Sequence, residues 1–270
     1  MYEEPYKWVE AVGNRRQYLD EQFKQGSPVV ALAYETGIVL LTVSKGTPKV
    51  YEIYDRLALG GMGHPADLEK LRFNLLEMAH VEGFNRSPSD VTGSRMVKYG
   101  IAPVIKQAFE EVFKAPFIVK ILLAEIGQKS GKETFLSINY DGTFEEGGHS
   151  AVLAATKGIE QEMLKSLRGE EPERRSLEQA VGAALRAWAL GDRLQRRAIE
   201  GEAERGDEAA AAPSSTDVPS LYAHVRETVA EKSIECAVLD RSQTGSSKYR
   251  ALTPDDLGRL LPRDIQTSIS

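Results

Sequence analysis

The sequence predicts an α+β fold, a four-layer αββα sandwich in which two stacked sheets lie between two helix layers, with an extra N-terminal helix. Three observations predict it. Residues 27–63, SPVVALAYETGIVLLTVSKGTPKVYEIYDRLALGGMG, read as four strands in a row, broken by turn residues at 35–37, 44–48 and 55–56. Residues 29–34 and 38–43 are apolar at nearly every position, the mark of strands buried on both faces. The elements also come in blocks: helix, four strands, two helices, about four strands, two helices, two strands, helix. Blocks of this kind give layers rather than an alternating βαβ fold. With no internal repeat and no linker dividing two cores, residues 1–270 read as a single domain.

Taken in order, residues 8–25 form a helix. Trp8, Val12, Leu19 and Phe23 share one face, Arg15 falls in the same row, and Gly26 and Pro28 stop the helix. That stripe suits either the chain's own sheet or a neighbouring subunit. Before it, residues 1–7 are expected to be mobile. After the four strands, His64 and Pro65 open a helix with Leu68, Leu71, Leu75 and Ala79 inward, closed by Gly83. A second helix, over 87–113, is expected to bend at Pro103. Strands follow over 117–126, 133–139, 144–146 and 150–154, then helices over 156–167 and 176–190, the latter with a Ser176 N-cap. Residues 191–219 are poor in large apolar side chains and rich in Glu, Ala, Ser and Pro. They read as an acidic insertion, disordered over 198–217, because so little apolar surface cannot offset the entropy of ordering. A helix at 221–230, strands at 233–240 and 248–252, and a Thr253-capped helix over 254–261 complete the chain.

Bulk properties exclude several classes. A net charge of −6 argues against nucleic acid as the main partner, since phosphate binding wants a basic face. No run approaches the ~20 apolar residues of a membrane span. The single cysteine, Cys236, permits no internal disulfide, and MYEEPYKW lacks a signal pattern, so a cytoplasmic protein is expected. His64, His80, His149 and His224 have no metal-ligand spacing, so no metal and no cofactor are expected. Gly60-Gly61-Met62-Gly63 follows a strand but lacks the lysine of a phosphate loop.

Five strings in order, SPVVALAY (27–34), KVYEIYDR (49–56), DVTG (90–93), NYDG (139–142) and ECAVLD (235–240), resemble the alpha subunits of the 20S proteasome, the actinobacterial type most of all. The resemblance covers residues 6–190 and 229–262. It implies the Ntn-hydrolase fold, matching the layers read above. Catalytic beta subunits of that family start at a threonine whose own amine is the general base. The matching place here is Ser27, which is preceded by the 8–25 helix and followed by Pro28, and the family's catalytic acid would fall near Val43. The resemblance therefore implies a non-catalytic subunit of a threonine endopeptidase complex. It implies a ring of copies of this chain, a heptamer, stacked on beta subunits, gating the admission of unfolded polypeptide. Lys49 matches the lysine that receives the C-terminal carboxylate of a ring ATPase or other activator, and Gly26 matches a second part of that pocket. Met1, Tyr2, Glu3, Glu4 and Pro5 would form the gate. The alternative reading is a self-processing hydrolase with Ser27 as its N-terminal nucleophile.

Overall fold

The computed structural model describes residues 5–111, 113–127, 132–169, 174–203, 217–262 and 265. Two five-stranded antiparallel sheets stack face to face. The first has the order β10 (Tyr249–Ala251), β9 (Ser233–Asp240), β2 (Gly37–Ser44), β1 (Val29–Tyr34), β8 (Ser150–Leu153). The second has the order β3 (Val50–Tyr54), β4 (Leu57–Gly63), β5 (Val119–Glu125), β6 (Thr134–Ile138), β7 (Phe144–Gly147). The run of four strands thus splits in half: β1 and β2 pair in one sheet, β3 and β4 in the other, and residues 45–49 cross between them.

Strand periodicity explains why β1 and β2 are apolar at every position. Val29, Ala31, Ala33, Ile38 and Leu40 face the space between the sheets, where they meet Ala58, Met62, Leu122, Ala124 and Phe135. The alternate residues Val30, Leu32, Val39, Leu41 and Val43 face outward, onto a helix layer. That layer consists of α5 (Lys157–Ser166), α6 (Leu177–Ala203), α7 (Val218–Val229) and α8 (Pro254–Leu260), with Met163, Trp188 and Val225 buried against the sheet. The second sheet presents Leu57, Leu59, Ile121 and Leu123 to the opposite layer, α2 (Pro65–Asn85) with α3 (Gly93–Arg95) and α4 (Ala102–Glu110). The glycines of β4 allow both approaches. A methyl on Gly60 would come within 2.7 Å of Val29 on the other sheet, and one on Gly61 within 2.3 Å of Leu68 on α2.

Several boundaries differ from the sequence reading. α1 spans Pro5–Phe23, so Pro5, Tyr6 and Lys7 are helical, while Met1, Tyr2, Glu3 and Glu4 lie outside the described residues. α2 runs through Gly83 to Asn85. The single bent helix expected over 87–113 is instead a 3-10 turn at Pro88–Asp90, the short α3, a π-helical turn over Met96–Ile101, and α4. Pro103 sits in the first turn of α4, where its missing N–H costs nothing, and the Ala102 N–H bonds back to Val97 across the wide turn.

The largest correction concerns 191–219. α6 continues unbroken to Ala203, and α7 begins at Val218; residues 204–216 lie outside the described residues. Gly191, Asp192 and Gln195 are buried on α6 although the stretch holds few large apolar groups. Their cover is specific. Gly191 lies against Met163, Asp192 accepts from Arg196 and His224 at 2.8 Å each, and Gln195 bonds backbone on two other elements. The Ser176 cap with Gln179 and the Thr253 capping box form as the sequence predicts.

Candidate functional site

The chain's possible chemistry centres on the junction between α1 and β1. Ser27 is 7% exposed. Its Oγ accepts the Trp188 indole N–H at 3.0 Å and lies 3.4 Å from Thr42 Oγ1, which itself donates to the Pro28 carbonyl at 2.7 Å. No carboxylate or amine hydrogen-bonds Ser27 among the described residues. Val43, where the resemblance locates a catalytic acid, is fully buried in the apolar layer against the helices. The carbonyl of Gly26 accepts Gln195 Nε2 at 2.6 Å, and Gln195 Oε1 accepts the Ala155 N–H at 2.8 Å. One buried amide therefore ties α6 to the α1–β1 junction and to the second residue after β8.

α1 is fastened at the same place. Leu19 and Phe23 are fully buried at the edge of the inter-sheet core, with Val12 partly covered and Trp8 half exposed. Phe23 stacks on Tyr140 at 5.7 Å, and the Tyr140 hydroxyl donates to Asp20 at 2.9 Å. Arg16 pairs with Asp141 at 3.4 Å and lies over the Phe109 ring. The Arg15 guanidinium donates to the carbonyls of Ala108 and Phe109 at 3.0 Å each, Glu111 at 2.9 Å and Lys114 at 2.6 Å. These carbonyls cluster at the C-terminal end of α4, where a cation meets unpartnered acceptors and the negative end of the helix dipole. The C-terminal half of α1 is therefore seated on its own domain, and the N-terminal half projects.

A cleft of about 540 Å³ opens beside this junction. Buried Lys120 lines it, donating to the Ala154 and Ala155 carbonyls at 2.7 and 3.2 Å and pairing with Glu160 at 3.6 Å. Burial pulls the Lys120 ammonium below its usual range, opposed by the Glu160 charge. Lys24 and Lys157 on its rim pair with Glu21 and Glu145. The cleft's cations are thus committed to their own walls. Among the described residues no three His, Cys, Asp or Glu side chains converge as a metal site requires, and no helix is long and apolar enough to cross a membrane. Cys236 is buried within β9, and burial pushes its thiol up.

Lys49 and Gly26 fall on one neighbourhood of β4. The Lys49 carbonyl accepts the Gly61 N–H at 2.8 Å, and Gly26 packs so closely on Met62 that a methyl there would come within 2.5 Å of its Cε. Behind Lys49 stands Glu235 of β9. Its carboxylate accepts the Lys49 N–H at 2.9 Å, the Val50 N–H at 2.7 Å and the Ser44 hydroxyl at 3.3 Å. The Lys49 ammonium makes no ion pair or hydrogen bond with a described residue. Burial lowers its pKa, the Glu235 charge raises it, and the Lys232 charge lowers it again. Sequence reading missed Glu235, Gln195 and Arg15 as positioning residues. Only Arg15 carried a local signal, a cation in an otherwise apolar helical row.

The fold and this junction define a class. The sequence model of the family described as "Proteasome subunit" matches residues 23–200, and the chain belongs to that family. Within it, the chain is similar to proteins named proteasome subunit alpha from actinobacteria. With that of Streptosporangium roseum it shares 30% identity over 173 residues, 63% of this chain and 66% of the relative, just under two thirds of the relative's length. With that of Saccharopolyspora erythraea it shares 30% over 182 residues, 67% and 69% of the two chains. With that of Streptomyces scabiei it shares 25% over 265 residues, 96% and 92% of the two chains.

Proposed function

We propose that this chain is a non-catalytic alpha-type subunit of a 20S proteasome core, cytoplasmic, forming a heptameric outer ring that admits unfolded polypeptide to beta-subunit active sites. The observation that carries the reading is Ser27. An N-terminal nucleophile needs a free amine and an accessible hydroxyl. Here the hydroxyl is buried and bonded to Trp188, and the preceding Gly26 bonds back to Phe23, the last residue of a helix fastened by Arg15, Asp20 and Phe23. The projecting half of α1, with half-exposed Trp8, suits a head-to-tail contact with the next copy, which closes a ring by rotation.

In this reading, Met1, Tyr2, Glu3, Glu4 and Pro5 lead from α1 into the gate. Lys49, held on Gly61 next to the Met62 on which Gly26 packs, receives the terminal carboxylate of an activator tail; an ammonium without an ion pair among the described residues and a hydrogen-bonded backbone favour that role. N-terminal sequencing and intact mass of the purified chain test the central point. A mature chain that retains α1 and cleaves peptides only when combined with a threonine-initiated beta chain supports the proposal. A mature chain that starts at Ser27 and cleaves peptides alone overturns it in favour of the self-processing hydrolase.

A further inference from the structure

β9 begins beside the Lys49 loop. Ser233 pairs with Ser44 across β2 and β9, and its hydroxyl donates to the Ser44 carbonyl at 3.3 Å. Two residues on, Glu235 holds the backbone of Lys49 and Val50. Lys232, immediately before Ser233, is therefore carried to the same rim. Its position is fixed from behind by the end of α7, where its N–H donates to the Thr228 carbonyl at 3.2 Å. Lys232 is half-buried, and its charge is felt both at Lys49 and at Asp192 of α6. Neither ammonium has an ion pair or hydrogen bond with a described residue. Glu235 does not neutralise the pair by contact, because its carboxylate is occupied by two backbone N–H groups and a hydroxyl. The Glu235 charge acts on Lys49, and the Asp192 charge on Lys232, without an ion-pair contact among the described residues, so a carboxylate arriving at this rim meets two ammonium groups whose hydrogen bonds are unspent.

We propose that Lys232 is a second cationic contact of the docking site, so that the terminal carboxylate of a partner tail is held between Lys49 on the β3 side and Lys232 at the start of β9. The inference rests on the docking role proposed for Lys49 and adds the residue that sets its preference for a free carboxylate. Glu235 is the positioning residue that fixes Lys49 relative to Lys232.

The test uses the assembled particle and a fluorescein-labelled octapeptide copied from the C-terminus of a candidate partner ring ATPase, made as free acid and as C-terminal amide. Anisotropy titrations compare the native chain with Lys49→Ala, Lys232→Gln and Lys232→Arg. Lys232→Gln is expected to weaken the free acid about three- to tenfold, leave the amide unchanged, and be rescued by Lys232→Arg. A native elution volume of the variant particle shows that the ring is intact. If Lys232→Gln binds the acid as the native chain does while Lys49→Ala does not, the Lys232 contact is refuted and docking stands. If the native particle binds acid and amide alike, or Lys49→Ala changes nothing, the docking reading itself fails and takes this inference with it.

Discussion

Arg15→Ala isolates the interaction that seats α1. The guanidinium donates to four carbonyls at 2.6–3.0 Å, two within the last turn of α4 and two just beyond it. Charged hydrogen bonds contribute about 1.5–3 kcal/mol each in net terms, and bonds that share one guanidinium are not additive. Water replaces part of what is lost at this partly exposed site. A cation at a helix C-terminus adds about 0.3–1 kcal/mol. Together these set an expected loss of about 2–4 kcal/mol, well below the burial of Leu19 and Phe23 that also anchors the helix. Urea unfolding should show that loss, and hydrogen exchange should show reduced protection across 12–23 and 105–111. Arg15→Lys should recover less than half, because one ammonium cannot span carbonyls reached by a fork. A loss below about 0.5 kcal/mol with unchanged exchange would refute the argument that Arg15 fastens α1.

Three further outcomes follow from the same structure. Gly61→Ala drives a methyl to within 2.3 Å of buried Leu68 and should cost about 1–3 kcal/mol by overpacking, read as a lowered urea midpoint at constant m. Asp192 is disfavoured as an anion by burial, but the His224 hydrogen bond and the charges of Arg196, His224 and Lys232 outweigh that and hold its pKa below the usual carboxylate range. Its stabilising contribution is therefore present above the unfolded-state value of 3.8 and lost as pH falls through the lower folded value; Asp192→Asn should reduce stability at pH 7 and flatten the acid limb below about pH 4. Deleting Met1 through Pro5 should raise peptide hydrolysis by the assembled particle, and an unchanged rate would remove the gate from the proposal.

The layered architecture was legible because it follows from local periodicity. Residues apolar at every strand position required cover on both faces, and the order of strand and helix blocks left few arrangements. The turn at 35–36, the Ser176 and Thr253 caps and the buried face of α2 depend on residues within a few positions of one another. The helical stretch 191–203 was not legible. Asp192 and Gln195 look like loop residues until His224, Gly26 and Ala155, between 32 and 169 positions away, come to meet them.

The site divides in the same way. Sequence alone determined that an amphipathic helix precedes Ser27 and that residues 36–51, around Val43, contain no Asp or Glu, since both are facts of residue order. Only the tertiary structure decided that Ser27 is sealed under Trp188, that Arg15 caps α4, and that Glu235 stands behind Lys49. Each of those contacts joins segments 93 or more residues apart. Such pairings are set by how two sheets stack and where the chain crosses between them, and a linear pattern of apolar residues fixes the stacking without naming the polar partners it brings together.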